Sequence, residues 1–90
     1  MNKAELIDEI ADKVGITKKD VGSVLDAVIG TIRDTLSRGE KVILVGLGTF
    51  QVMQRKARRG VNPQTREIIQ IPAKKVPKFV PGKSLRKAVE

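Results

Sequence analysis

The sequence has 90 residues, enough for one small domain. It contains no cysteine and no histidine, which excludes disulfides, thiolate metal sites and the commonest general base. The only aromatic residues are Phe50 and Phe79, and no apolar run approaches the roughly 20 residues that span a bilayer. Because the N-terminal segment is amphipathic and acidic, unlike a targeting peptide, we expect a soluble intracellular chain. We also expect no cofactor, no small-molecule substrate and no membrane partner.

The net charge of +8 is distributed unevenly along the chain. Residues 1–40 carry six basic and eight acidic groups, a net charge of −2, whereas residues 41–90 carry twelve basic and two acidic groups, a net charge of +10. Such polarity indicates a partner for the basic half, most often a nucleic acid. A merely solvated basic face is the alternative. It is disfavoured because Glu67 is the single acid in residues 41–89.

The first 40 residues predict two helices joined by a short turn. Asn2 and Thr17 are placed to cap the two helix starts, and Gly15 lies just past the end of the first helix. Apolar residues recur at three- and four-residue steps on each helix. The two apolar stripes consist of Leu6, Ile7, Ile10, Ala11 and Val14, and of Val21, Val24, Leu25, Val28, Ile29, Ile32 and Leu36.

Two helices joined by a glycine turn also suggest a helix-turn-helix DNA reader. The charges argue against this, because the exposed faces of both helices are balanced or acidic and a recognition helix must tolerate phosphates. We therefore predict that residues 1–40 form a packing unit. The apolar stripe of the second helix is wider than one small helix and a short sheet can cover, which predicts a dimer that buries it symmetrically.

The basic half of the chain predicts strands, a basic hairpin and a short final helix. A β-branched run at 42–45 and an alternating run at 49–54 are typical of strands. Residues 53–76 predict a long two-stranded ribbon with Pro63 near its tip, and residues 82–89 are long enough for two helical turns. The predicted pairs in the ribbon are Val61 with Arg66, Arg59 with Ile68 and Ala57 with Gln70.

Four blocks of this sequence are distinctive. They are Gly39-Glu40-Lys41-Val42, Val45-Gly46-Leu47-Gly48-Thr49-Phe50, Arg59-Gly60-Val61-Asn62-Pro63-Gln64-Thr65, and the stretch from Ile71-Pro72 through Lys75-Val76-Pro77-Lys78-Phe79 to Pro81-Gly82-Lys83. With the order of elements, they resemble the family of the bacterial histone-like HU protein and its relative, integration host factor, over essentially the whole chain. Three positions depart from the family pattern. Leu47 stands where a Phe is usual, Val61 where many members carry a base, and Arg66 where Gly is often found.

The resemblance implies an α+β fold, an intertwined dimer with a helical body, a short antiparallel sheet and two protruding β-ribbon arms. Within a single domain, residues 1–40 form the dimerisation body and residues 53–76 the arm. The arms are expected to wrap double-stranded DNA through its minor groove, with Pro63 wedged between base pairs. The implied protein is a homodimer that bends and compacts DNA in the cytoplasmic nucleoid with little sequence preference.

The residues expected to contact DNA lie mostly on the arm and the strands at its base. They are Arg55, Lys56, Arg58, Arg59, Asn62, Pro63, Gln64, Thr65, Arg66, Lys74, Lys75 and Lys78. Lys3, Lys83 and Arg86 are expected to contact phosphates on the flanks of the body. Dense Arg and Lys side chains suit a narrow, negative minor groove, and few side chains of the arm could read base edges.

Other functions are weighed against this one. A sequence-specific bending factor like an integration host factor subunit is the alternative, although such subunits pair with a different chain and often extend further at the C-terminus. An RNA-binding protein usually stacks unpaired bases on exposed aromatics, but Phe50 and Phe79 lie among residues with a core pattern. An enzyme is not predicted, because the acidic residues lie mostly on outer helix faces rather than paired near an apolar pocket.

Overall fold

A computed structural model describes residues 1–90. The elements in chain order are α1 (Lys3–Val14), α2 (Lys18–Ser37), β1 (Val42–Leu44), β2 (Gly48–Arg55), β3 (Arg58–Val61), β4 (Ile68–Ile71), β5 (Lys74–Pro81) and α3 (Lys83–Ala88). The chain divides into a helical unit, Met1–Asp34, and a sheet unit, Thr35–Glu90. These elements confirm the predicted α+β class. No helix has the length and apolar character needed to cross a membrane.

The ends of the first helices are set by local hydrogen bonds, as predicted. Asn2 Oδ1 accepts a hydrogen bond from the Glu5 amide at 2.9 Å, and Thr17 Oγ1 accepts one from the Asp20 amide at 3.2 Å. Each bond satisfies an amide that the first helical turn leaves without a partner. Gly15 ends α1 in a left-handed conformation with φ 77°, which glycine adopts without the steric cost of a Cβ atom.

The helical unit leaves most of its apolar stripe uncovered. Ala11 and Val21 are its only buried hydrophobic residues, and Val24 is 60% exposed. An open apolar groove runs along the two helices, lined by Ile10, Val14, Ile16, Val21, Val24, Leu25 and Val28. One chain therefore buries too little apolar surface to offset the conformational entropy that folding costs.

In the sheet unit, β1, β2 and β5 form an antiparallel sheet in the order β1-β2-β5. The first strand ends at Leu44, one residue earlier than predicted, because the Leu47 amide donates to the Leu44 carbonyl at 3.0 Å and closes a turn. Phe50 and Phe79 are paired across β2 and β5, and their ring centroids lie 4.8 Å apart. The two rings therefore pack on each other, the tilted arrangement that aromatic pairs favour.

The observed pairing of β3 with β4 differs by two residues from the predicted register. Val61 pairs with Ile68, and Arg59 pairs with Gln70, so the predicted pairs of Val61 with Arg66, Arg59 with Ile68 and Ala57 with Gln70 are wrong. The cause lies in the turn. The Asn62 amide donates to the Glu67 carbonyl at 2.9 Å, which extends the pairing by one step and leaves residues 63–66 as the loop.

The predicted ribbon over residues 53–76 is present but interrupted. The β2–β5 ladder ends at the pair Arg55–Lys74, and the β3–β4 ladder begins at Arg58–Ile71. Pro72 has no amide hydrogen to donate, so a break is expected beside it. Two residues on each side of the ribbon, 56–57 and 72–73, are unpaired at the break. Because the two numbers are equal, the ladders on either side keep one common register.

Candidate nucleic-acid interface

The register gives the ribbon two faces, because alternate residues of a strand point to opposite sides. We call them the Arg55 face and the Phe50 face. The Arg55 face carries the pairs Thr49–Val80, Gln51–Lys78, Met53–Val76, Arg55–Lys74, Arg59–Gln70 and Val61–Ile68. The Phe50 face carries the pairs Phe50–Phe79, Val52–Pro77, Gln54–Lys75, Arg58–Ile71 and Gly60–Ile69. The alternation holds within each of the two ladders, and the equal skip at the break gives both ladders the same pairing register.

Basic side chains from the predicted set lie on both faces of the ribbon. Arg55, Arg59, Lys74 and Lys78 belong to the Arg55 face, Arg58 and Lys75 belong to the Phe50 face, and Lys56 lies in the break. All of these side chains are exposed. The ion pairs Lys3–Asp26, Lys18–Asp8 and Arg38–Glu40 involve none of the basic residues from Arg55 to Lys87. The ribbon therefore presents an uncompensated positive charge, as an anionic polymer requires.

An open cavity of about 590 Å³ lies at the break in the ribbon. Its lining residues are Met53, Gln54, Arg55, Lys56, Arg58, Ile71, Pro72, Ala73 and Lys74, among which four are basic and none is acidic. The break in the ribbon thus places basic side chains from both β-strands around one cavity. Such a lining attracts an anion and offers no carboxylate for acid–base chemistry.

The turn at the tip is held by its own polar side chains. Asn62 Oδ1 accepts a hydrogen bond from the Gln64 amide at 3.0 Å, and Thr65 Oγ1 accepts one from the Glu67 amide at 3.4 Å. Pro63 lies between these bonds and is exposed. The predicted contact residues Asn62 and Thr65 therefore shape the turn, whatever else they touch.

Arg66 completes the turn in an uncommon backbone conformation. It has φ 60°, the only positive φ of a non-glycine residue in the chain. The left-handed region costs an L residue with a Cβ atom roughly 1–2 kcal/mol. This explains in physical terms why Gly suits the position and shows that Arg66 keeps the same turn at a cost.

The predicted flanking residues lie in different units. Lys3, in the helical unit, forms an ion pair with Asp26 of α2. Lys83 and Arg86 lie on α3 in the sheet unit, and both are exposed. Sequence reasoning missed the Lys3–Asp26 pair, because 23 residues separate the partners and no local pattern links them. It also missed Ile68 as the partner of Val61, because the predicted register was wrong.

Comparison with known proteins decides the family. The model of the bacterial DNA-binding protein family matches residues 1–90. This chain belongs to that family. Among bacterial DNA-binding proteins, the DNA-binding protein HU of Thermotoga maritima is 54% identical and that of Geobacillus stearothermophilus 51% identical, each over 90 residues and the full length of both chains. The Anabaena HU–DNA cocrystal structure has a TM-score of 0.89 and 49% identity, and the match covers 99% of this chain and 97% of that chain.

Membership of the bacterial DNA-binding protein family confirms the resemblance found in the sequence blocks. The chain is a histone-like, architectural DNA-binding protein and not an enzyme. Nothing in these matches favours the alternative of a sequence-specific factor. The division into a body and an arm, and the individual contact residues, stay predictions.

Proposed function

We propose that two copies of this chain form a homodimer that grips double-stranded DNA in the minor groove with its two ribbons and bends it with little sequence preference. The observation that carries the proposal is the paired ribbon, which is basic on both faces, unneutralised, and ends in an exposed turn at Pro63. The cocrystal of Anabaena HU with DNA supports it by similarity. The cytoplasmic nucleoid of a bacterium is the proposed location.

The proposed dimer rests on the missing core. In one chain no large side chain is fully buried, and the groove along α1 and α2 stays open. A second copy laid on residues 1–40 covers this apolar surface and supplies the burial that a single chain lacks. Residues 1–40 are accordingly the proposed dimerisation body, and residues 53–76 the proposed arm.

The ribbon suits a groove because phosphates line both walls of the minor groove. Basic side chains on the Arg55 face and on the Phe50 face can then reach phosphates of opposite DNA strands, which accounts for the positive charge on both faces. The proposed phosphate and groove contacts are Arg55, Lys56, Arg58, Arg59, Arg66, Lys74, Lys75 and Lys78, with Asn62, Gln64 and Thr65 beside the tip. Pro63 is the proposed wedge, since it is rigid, apolar and exposed at the turn.

Lys3, Lys83 and Arg86 are the proposed phosphate contacts beyond the arms. Lys3 must leave Asp26 to reach a phosphate. Both partners of this pair are exposed, and exposed ion pairs contribute only about 0–1 kcal/mol, so the exchange costs little. A bent duplex that reaches these residues gains contacts that a straight duplex does not make.

The test is a salt titration on duplexes of unrelated sequence. If a dimer neutralises roughly 8–10 phosphates, the slope of log K against log salt is about −7 to −9. Alanine at Arg55, Arg58 or Arg59 then weakens binding to every duplex about equally. Lys19→Ala, on the helical unit, is the matched control and leaves binding unchanged. A ribbon variant that loses one sequence and keeps the others contradicts the proposal and favours base readout.

A further inference from the structure

Val61 and Ile68 form an exposed aliphatic pair at the end of the ribbon. They are direct partners across β3 and β4 and are the last strand pair before the turn. Val61 is 63% exposed and Ile68 is 69% exposed. Two large apolar side chains left open to water, in the most basic segment of the chain, indicate a surface that a partner covers.

On the opposite face of the same strands, aliphatic side chains pack within the ribbon. On the Phe50 face, Ile69 and Ile71 close over Gly60. A Cβ atom built on Gly60 would lie 3.2 Å from Ile71 Cδ1 and 3.5 Å from Ile69 Cγ1. Ile69 is 44% exposed, less than either member of the open pair. Packing between the strands is thus provided on the Phe50 face, and it leaves Val61 and Ile68 free for another contact.

The position of the open pair indicates which partner covers it. Arg59–Gln70 is the neighbouring pair on the Arg55 face, and Pro63 follows Val61 by two residues at the turn. The aliphatic pair therefore lies between Arg59, which is suited to a phosphate contact, and Pro63, the proposed wedge. In a minor groove, the surface between the phosphates and the base edges is the deoxyribose, which is largely apolar.

We propose that Val61 and Ile68 form an apolar contact with the deoxyribose walls of the minor groove and give the arm a component of affinity that salt does not screen. The inference rests on the proposed function and adds a second kind of contact to it. Phosphate contacts weaken as salt rises, because they work by releasing counterions. Burial of aliphatic surface has no such dependence, so the pair matters most at high salt.

The first experiment compares two threonine variants at adjacent positions. Ile68→Thr and Ile69→Thr make the same chemical change on the same strand but on opposite faces. Duplex affinity is measured across a range of salt concentrations. Ile68→Thr should lose about tenfold in affinity for the dimer, which carries two arms, with the salt slope unchanged. Ile69→Thr should lose less than about threefold, the cost of weaker cross-strand packing.

The second experiment adds a charge at the same place. Val61→Arg should steepen the salt slope by about two units for two arms, binding more tightly than the parent at low salt and more weakly at high salt. The proposal is overturned if Val61→Arg binds more tightly at every salt concentration, or if Ile69→Thr loses as much as Ile68→Thr. A parent protein whose affinity shows no steep salt slope contradicts the proposed function itself, whereas parent-like variants on a steep slope overturn only this inference.

Discussion

Replacement of Gly48 by alanine tests the packing of the sheet most directly. Gly48 begins β2, is buried, and has φ 156°. An added Cβ atom would overlap the carbonyl oxygen of Val80 and lie 2.8 Å from two ring carbons of Phe79. Val80 is held in the β5 ladder opposite Thr49, so its carbonyl cannot withdraw without breaking the pairing. Overpacking of this kind, with the added backbone strain, should cost about 3 kcal/mol per chain.

Gly46→Ala provides the matched control, two residues away in the turn that precedes β2. Gly46 has φ 94°, and an added Cβ atom meets nothing within 4 Å, so only the backbone strain of about 1 kcal/mol remains. Thermal unfolding at one fixed protein concentration measures both variants. At roughly 4–8 °C per kcal/mol, Gly48→Ala should unfold at least 10 °C below the parent and well below Gly46→Ala. Equal midpoints for the two variants would refute the steric argument.

Three further outcomes are expected. Pro63→Ala should keep much of the affinity for straight duplex, while energy transfer between labelled duplex ends should show less bending than with the parent. The loss of affinity should be smaller on nicked DNA than on intact DNA. If the variant bends DNA as sharply as the parent at saturation, Pro63 is only a turn residue. The unfolding temperature should rise with protein concentration, and a constant temperature together with a monomeric mass in solution would exclude the obligate dimer. Arg66→Gly should relieve roughly 1–2 kcal/mol of left-handed strain at the tip and, if Arg66 contacts phosphate, reduce the steepness of the salt slope by about two units per dimer.

Local features of the fold could be predicted well from the sequence. The caps at Asn2 and Thr17 depend on a side chain and an amide three residues apart, so a short segment of sequence is enough to predict them. The apolar stripes depend on helical periodicity, which a sequence displays directly. The candidate site could be proposed from the sequence because its basic residues lie close together along the chain, and its individual contacts with DNA stay predictions.

The register of the ribbon could not be predicted in the same way. It depends on where the four-residue loop begins, because the predicted loop is 62–65 and the observed loop is 63–66. The observed loop requires Arg66 to adopt a left-handed conformation. A glycine there would have signalled the conformation, whereas arginine gives no such sign. An error of two residues leaves each residue on the same face of its strand and changes only its partner on the other strand. The Val61–Ile68 pair was hidden for this reason.

The common register on the two sides of the break sets a rule for changes in arm length. A single residue inserted into one strand beyond the break would turn the outer part of that strand over and place its side chains on the wrong face. Two residues inserted into each strand would preserve both faces and carry Pro63 outward by about 7 Å, since a strand rises about 3.3 Å per residue. Arms of this design can therefore be lengthened or shortened in matched steps of two residues per strand, and each step would move the tip without exchanging the side chains of its two faces.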